Sequence, residues 1–329
     1  MKGLFIIFIA ITLSVSSMLG QTEQTPDNFK PSGKPFAKIF TNFHTNFSDN
    51  KTLSQFELTR VYLGYKYSFS KQWSAKANLD VGNPESGKLQ MTAYIKNAFV
   101  QYENEGLTAQ FGLIGTSSFK LQEGVWGNRY MFKSFQDQYG MGPSADLGMS
   151  VAYQFGTFFS ADVSILNGEG YKKIETDSTF KYTAGATFTP IKNFYFRVYY
   201  DYMKKDTAQQ TLSFFAGYDG PKWTGGVEYN NQFNHGMSTG KNYSGYSLYT
   251  AYSFEKLKVY GRYDYLASAT LSGETDPWNL SKDGQQLIAG VEYTPIKGIK
   301  ISPNYQLWMP KKSGSLSLSG AFLSLEISY

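Results

Sequence analysis

Leu257-Lys258-Val259-Tyr260-Gly261-Arg262-Tyr263-Asp264-Tyr265 alternates apolar and polar side chains with a period of two. One face carries Leu, Val, Gly, Tyr and Tyr, and the other carries Lys, Tyr, Arg and Asp. This pattern predicts a β-strand with one apolar and one wet face. The alternation recurs from about Phe36 to Tyr329, so most of the chain is expected to form such strands. The strands of a soluble β-sandwich show the same alternation. The segments that flank the strands and the connections between them therefore have to distinguish a sandwich from a membrane barrel.

Residues 1–20 have the composition of a signal peptide. Lys2 precedes the apolar run Leu4–Ile11, and small residues follow up to Gly20. The run is too short for a membrane helix. We interpret 21–34 as an N-terminal periplasmic tail and 35–329 as the barrel domain. The chain contains no cysteine, which excludes a lipid-anchored N-terminus, disulfides and thiolate metal sites.

The composition after residue 20 restricts how the chain could cross a membrane. No segment approaches the roughly 18 consecutive apolar residues of a membrane helix. A membrane protein with this sequence must therefore be a barrel, since only helices and closed sheets satisfy every backbone group in lipid. The 26 Tyr and 26 Phe bring aromatic residues to 17%, which is typical of the girdles of an outer-membrane barrel. A net charge of +5 is too small to indicate a nucleic-acid partner.

The alternation and the turn residues predict an all-β fold, an antiparallel up-and-down transmembrane β-barrel of about 16 strands. The predicted strands are 36–47, 55–69, 72–82, 89–103, 107–115, 146–155, 158–167, 180–189, 194–203, 211–218, 223–232, 244–254, 257–267, 285–294, 298–308 and 316–329.

The connections between these strands are of two kinds. Tight turns such as Gly156-Thr157 and Glu255-Lys256 alternate with longer segments rich in Gly, Ser, Asn and Asp, as in 168–179, 233–243 and 268–284. We interpret this as a strict alternation of periplasmic turns and extracellular loops. It places both termini on the periplasmic side and gives an even number of strands.

Charged side chains fall on the face opposite the apolar one, where they avoid lipid. They are interpreted either as solvated or cross-strand-paired residues of the barrel wall, or as the groups that set the field for a passing solute. The predicted channel-lining residues are Arg60, Lys66, Lys76, Asp80, Arg197, Asp201, Glu228, Lys258, Arg262, Asp264 and Glu292.

The segment 116–145 is far longer than an ordinary loop, and long loops are usually functional. It contains six aromatic side chains between Phe119 and Tyr139, too many for a segment surrounded by water. We expect this third long loop to fold into the barrel and narrow it. Its predicted constriction residues are Lys120, Arg129 and Lys133, facing Glu123 and Asp137. An external cap or an oligomer contact is the alternative.

An enzymatic function is not supported by the sequence. Barrel hydrolases need a nucleophile or water activated by a base, most often His. His44 and His235 are the two histidines, and they are far apart in sequence. No His and carboxylate cluster has the spacing of metal ligands. The sequence therefore predicts no catalytic residues, no cofactor and no metal site.

Four segments resemble the Gram-negative porin group that includes the phosphate-selective porins O and P, in a Bacteroidetes-type version. They are Glu57–Gly64, Ile95–Tyr102, Gln110–Gly115 and Asp146–Gly148. The resemblance implies a 16-strand porin, often trimeric, with an inward third loop. Phosphate-selective members are expected to use a ladder of arginines, and this chain has four Arg in all. We therefore extend the resemblance to the architecture and not to phosphate selectivity.

Together these features predict a porin in the outer membrane of a Gram-negative bacterium. It would allow passive diffusion of small hydrophilic solutes or ions with a weak preference for anions. The alternative is a plugged structural or secretion-associated barrel that serves a partner complex. The expected partners are outer-membrane lipids, the diffusing solutes, two further copies in a homotrimer, periplasmic chaperones and the barrel-assembly machinery, but no nucleic acid.

Overall fold

Sixteen antiparallel strands close into one barrel in the computed structural model, which describes residues 29–48, 51–82 and 91–329. The predicted signal peptide and most of the predicted tail lie outside these residues. The strands are β1 (Ser32–Ser48), β2 (Lys51–Ser68), β3 (Trp73–Gly82), β4 (Thr92–Asn104), β5 (Leu107–Gly115), β6 (Ala145–Phe155), β7 (Phe159–Leu166), β8 (Lys181–Phe188), β9 (Phe194–Lys204), β10 (Ala208–Asp219), β11 (Trp223–Phe233), β12 (Tyr243–Phe254), β13 (Leu257–Ser268), β14 (Gly284–Tyr293), β15 (Ile299–Pro310) and β16 (Leu318–Ser328).

Each strand pairs with the next along the chain, and β1 closes the barrel by pairing with β16. Every predicted strand overlaps one observed strand, with ends that differ by about four residues at most. Two β-bulges interrupt the register, one between β1 and β2 at Phe40/Thr41 and one between β3 and β4 at Asn78/Leu79. The predicted up-and-down barrel is confirmed.

The two faces of each strand differ as the alternation predicts. In β9, Phe196 and Val198 are each 45% exposed on the outside, whereas Arg197 and Tyr199 between them are 6% and 2% exposed on the inside. An apolar, aromatic outer surface around a polar interior is the arrangement of a transmembrane barrel. Among the described helices, none is both long and apolar enough to cross a membrane.

The connections differ in length between the two ends of the barrel. At one end, here called the turn end, all connections are short. At the other, the loop end, residues 116–144 separate β5 from β6, but only 49–50 separate β1 from β2 and 205–207 separate β9 from β10. The prediction of a strict alternation between tight and long connections was therefore wrong, because two loop-end connections are as tight as turns.

Candidate functional site: the barrel lumen

The segment 116–144, here called L3, contains two short helices, α1 (Lys120–Trp126) and α2 (Phe135–Gln138). Helix α1 buries Val125 and Trp126 against Phe215, Tyr249 and Tyr260 on the inner faces of β10, β12 and β13. It ends at Gly127, whose left-handed φ of 67° lets its N–H bond the Glu123 carbonyl.

Polar contacts attach the middle of L3 to the same wall. The ammonium of Lys258 donates to the Asn128 side chain at 2.7 Å, and the Tyr130 hydroxyl donates to Glu292 at 2.9 Å. Arg262 donates to the Lys133 carbonyl at 3.0 Å. The ring of Phe135 fills a space that Gly245 leaves open, since a Cβ there would overlap it. L3 is thus packed and hydrogen-bonded against β10 and β12 to β14.

The tip of L3 also reaches the opposite part of the barrel. Arg129 Nη2 donates to the Tyr62 hydroxyl on β2 at 3.4 Å, and the Tyr130 ring lies 6.3 Å from the Phe40 ring on β1. A segment outside the barrel could not contact the inner faces of strands this far apart. The predicted inward third loop is therefore confirmed.

A second inward segment, 167–180, was not predicted and is here called L4. It connects β7 to β8, yet the Tyr171 hydroxyl donates to Asp80 on β3 at 2.6 Å. The Tyr171 N–H bonds the Ala145 carbonyl at 3.0 Å, and Gly168 N–H bonds Asp146 at 2.7 Å. L4 therefore lies across the loop end beside L3. Its polar composition contains no run of aromatic residues that could have indicated this position.

The predicted constriction residues do not form a single cluster. Arg129 pairs with Glu123 at 3.0 Å and with Asp137. Burial alone would raise the pKa of the Asp137 carboxyl, but the charges of Arg129 and Lys133 and the hydrogen bond from Arg129 together outweigh it, so the pKa is lowered. Lys120 and Lys133 make no ion pair among the described residues and line cavities instead. Of the three predicted constriction cations, Arg129 is the one that forms ion pairs with Glu123 and Asp137 among the described residues.

Most of the predicted channel-lining charges are paired across or along strands. Arg60 donates to both Asp80 oxygens at 3.0 and 2.9 Å, and Arg262 donates to Asp264 at 2.8 Å. Lys258 lies 2.9 Å from Glu292. The Arg197 partner, Asp162 at 2.7 Å, was not singled out from sequence, because the two residues meet only through the register of β7, β8 and β9.

Several of these groups have almost no contact with solvent. Glu228, Arg262 and Asp264 are buried where L3 covers the wall, and Tyr139 of L3 donates to Asp264 at 3.3 Å. Asp201 is buried as well and accepts from the Tyr199 hydroxyl at 3.2 Å. While L3 holds this position, these four side chains are shielded from any solute in the lumen.

Two of the remaining predicted residues belong to a row of unpaired lysines at the turn end. Lys34, Lys66 and Lys76 are direct register partners on β1, β2 and β3. Lys34 and Lys66 are exposed, and Lys76 is half-buried with its ammonium 5.1 Å from the ring centre of Phe36. Within the described part of the chain, none of the three has a carboxylate oxygen within 4.0 Å. Cations placed side by side repel one another, so this row is not explained by stability.

L3 leaves open space on both of its sides. A loop-end cavity of about 410 Å³ lies between L3 and β1, β2, β15 and β16, and Arg60, Arg129 and Lys133 contribute to its lining. A turn-end cavity of about 660 Å³ lies between α1 and β4 to β7, with Gln101, Gln110 and Lys120 in its lining.

The two histidines make polar and stacking contacts with neighbouring side chains. His44 is buried and contacts Asn42 at 2.6 Å and Gln55 at 3.1 Å. His235 lies in a 3-10 helix (His235–Met237) between β11 and β12 and stacks on Trp278 with ring centres 5.4 Å apart. Neither contact set contains a nucleophile positioned for activation by the imidazole.

One group of carboxylates in L4 has ligand atoms within 4.8 Å of one another: Glu169, Glu175 and Asp177. Its geometry follows from a local turn, since Glu175 accepts the N–H groups of Asp177 and Ser178 at 2.9 and 2.6 Å. Burial and the nearby Glu175 raise the pKa of Glu169. Sequence reasoning did not single out this cluster, because none of its spacings is typical of metal ligands.

Comparisons with solved structures show what the barrel is similar to. OmpF of Salmonella typhi, solved with daunomycin, aligns at a TM-score of 0.70 and 11% identity over 90% of this chain and 97% of that one. An anion-selective porin from Comamonas acidovorans aligns at 0.64 and 11% over 91% and 100%. The outer membrane channel DcaP of Acinetobacter baumannii aligns at 0.65 and 13% over 92% and 99%.

The chain has the porin fold. No family model and no curated protein matches the sequence, so the finer resemblance to the phosphate-selective O and P group is not confirmed. The porin fold nevertheless accounts for the inward L3, which in this chain crosses a closed barrel of sixteen strands.

Proposed function

We propose that this protein is a porin of the Gram-negative outer membrane that allows passive diffusion of small hydrophilic solutes and prefers anions. The observation that carries the proposal is the uneven charge of the lumen. L3 covers the wall that carries the Lys258–Glu292 and Arg262–Asp264 pairs. On the wall that it leaves uncovered, Arg60 and Arg197 are paired with carboxylates, whereas the lysine row is unpaired. In the proposed location, the loop end of the barrel faces the outside of the cell and the turn end faces the periplasm.

The preference for anions follows from the field of these lysines. Charges of one sign that line a narrow aqueous space raise the local concentration of the opposite ion. Ion pairs such as Arg262 with Asp264 contribute little to such a field because their charges cancel. Lys66, Lys76 and Lys120 have no such partner among the described residues, so they dominate the field at the turn end.

Selectivity for phosphate through arginine is not part of this proposal. All four arginines already hold carboxylates: Arg60 binds Asp80, Arg129 binds Glu123 and Asp137, Arg197 binds Asp162, and Arg262 binds Asp264. A bidentate phosphate site would require breaking one of these pairs. The free cations are lysines, which attract anions as point charges without a fixed geometry.

The proposed partners follow from the proposed location. Lipids would contact the aromatic outer surface, and periplasmic chaperones and the barrel-assembly machinery would deliver the chain. A homotrimer is also proposed, since one similar structure, OmpT of Vibrio cholerae, is described in a trimer form at 12% identity and a TM-score of 0.58. Cross-linking in native membranes would test the trimer.

The decisive experiment is conductance of the purified protein in planar bilayers. In a KCl gradient we expect stepwise channels whose reversal potential shows a preference for chloride. The K66Q/K76Q double variant should lose most of that preference while still conducting. A folded barrel that passes no current would favour the alternative of a plugged barrel serving a partner complex.

A further inference from the structure

We propose that the turn-end cavity is a binding subsite for polyhydroxylated anions, that is, a phosphate or carboxylate group attached to a sugar or sugar-derived polyol. This inference rests on the proposed channel function and names the class of solute that the channel would favour. It follows from a second row of side chains that adjoins the lysine row.

Five uncharged polar side chains form this second row, here called the amide row. Each is the direct register partner of the next across the inner faces of β3 to β7. The row consists of Ser74, Gln101, Gln110, Ser150 and Ser164. Neighbouring strands are about 4.8 Å apart, so the row presents hydroxyl and amide groups at regular intervals across five strands.

The side chains of the amide row use only part of their hydrogen-bonding capacity on one another. Gln110 donates to the Gln101 side-chain oxygen at 2.7 Å, and the Ser150 hydroxyl donates to the Gln110 oxygen at 3.5 Å. Gln101 donates to Glu103 at 2.9 Å. Each side-chain amide has two donor hydrogens and an oxygen that accepts two bonds. The row therefore has both donors and acceptors left for a ligand, which is what a hydroxyl group needs.

The amide row faces a space large enough for a sugar-sized solute. Gln101, Gln110, Ser150 and Ser164 all line the turn-end cavity of about 660 Å³. Thr108, Ser117 and the ring of Tyr195 complete much of the same lining. Hydroxyl groups, amides and an aromatic ring together offer hydrogen bonds and a flat apolar surface to a sugar ring.

Cations lie at the edge of this cavity. Lys120, the first residue of α1, lines it directly. Lys76 is two residues from Ser74 on the same face of β3, beside the end of the amide row. The cavity thus combines neutral hydrogen-bonding groups with adjacent positive charge.

Two carboxylates also border the cavity. Asp162 is neutralised by Arg197, which donates to its two oxygens at 2.7 and 3.0 Å. Asp219 lies on β10, at the turn end of that strand, and accepts from Thr224 at 3.2 Å. Lys76 and the amide row lie on β3 to β7, so the anionic group of a ligand held beside Lys76 would bind away from Asp219.

The experiment is block of chloride current through the whole mature protein in planar bilayers. Glucose 6-phosphate is compared with ethyl phosphate, which has the same anionic group without hydroxyls, and with glucose, which has hydroxyls without charge. Gluconate and propionate form the matching carboxylate pair. We expect the polyol anions to block at roughly tenfold lower concentration than either kind of control, a difference worth about 1.4 kcal/mol. For each pair, the blocking concentration of the simple anion is divided by that of the polyol anion. The pair with the larger ratio, phosphate or carboxylate, identifies the preferred anionic group.

Two variants test whether the amide row causes the stronger block by polyol anions. The Q101A/Q110A double variant should reduce the ratio between glucose 6-phosphate and ethyl phosphate to near one, with an unchanged reversal potential. Gln306→Ala removes an amide that lines the loop-end cavity instead and should leave the ratio as it is. A heat-modifiable shift on a denaturing gel verifies that each variant is folded.

Equal block by glucose 6-phosphate and ethyl phosphate in the unsubstituted protein would overturn the inference. A ratio that survives in Q101A/Q110A would overturn it as well, because the hydroxyls would then be recognised elsewhere. Either result is compatible with an anion-preferring channel. A protein that conducts without any preference for chloride would instead contradict the proposed function, so the two failures are distinguishable.

Discussion

At the scale of single residues, the Tyr171 hydroxyl attaches L4 to the barrel wall. It donates at 2.6 Å to Asp80, a buried carboxylate that also holds Arg60. We expect Tyr171→Phe to free L4 from the β3 wall, since a hydrogen bond to a charged group contributes about 1.5–3 kcal/mol. Single-channel records should show a larger conductance or new open levels. Tyr94→Phe is the matched control, and equal effects of both variants would contradict the prediction.

His235 is the residue through which pH should act on the loop end. Burial and the nearby Lys241 lower the pKa of its imidazole. The native protein therefore holds the neutral form, and protonation opposes the packing of His235 on Trp278. That packing should be fully stable above the ordinary histidine pKa of about 6.5 and weaken as the pH falls below it. The protection factors of the amide hydrogens in residues 234–243, which compare each exchange rate with the intrinsic rate at the same pH, should therefore fall in acid.

Replacing the imidazole separates this effect from general acid instability. His235→Gln cannot gain a proton, so the protection factors in residues 234–243 should no longer fall between neutral and acidic pH. His44→Gln changes a residue of β1 and should leave the fall unchanged. If the protection factors fall equally in both variants, another group must be responsible.

At the scale of elements, L3 determines how wide the lumen is. It crosses from β5 to contacts on β1 and β2. Deleting residues 119–138 should increase single-channel conductance severalfold, because the cavities on its two sides would merge. Deleting 272–275 from the exposed β13–β14 connection is the control and should change conductance little. Unchanged conductance without L3 would show that the segment does not restrict the open pore.

The elements also show how far the sequence could predict this protein. Strands follow from local alternation and turn residues, which is why all sixteen were placed. The inward course of L3 followed from its aromatic residues, because they need a wall to cover them. L4 was missed since a single residue, Tyr171, holds it to Asp80. The pairing of Arg197 with Asp162 depends on the register of three strands, which a single sequence does not provide.

At the scale of the whole molecule, the lumen divides into the wall under L3, where Lys258 and Arg262 are paired with carboxylates, and an uncovered wall on which the lysine row is unpaired. This division explains why a modest net charge of +5 is compatible with a strong local field. What a solute experiences depends on where the charges remain unpaired, and at the turn end the lysine row supplies three such charges, Lys34, Lys66 and Lys76.

The division predicts that anion preference depends on ionic strength. Exposed charges act through a Debye length of about 10 Å at 0.1 M salt and about 3 Å at 1 M. The field of the exposed lysine row should therefore be screened, and the chloride preference measured at fixed gradient ratio should decline as salt rises over this range. K66Q/K76Q should show a weaker preference with little remaining salt dependence. A preference that is undiminished at 1 M would instead require a narrow, desolvated constriction, and would point to Arg129 and Lys133 of L3.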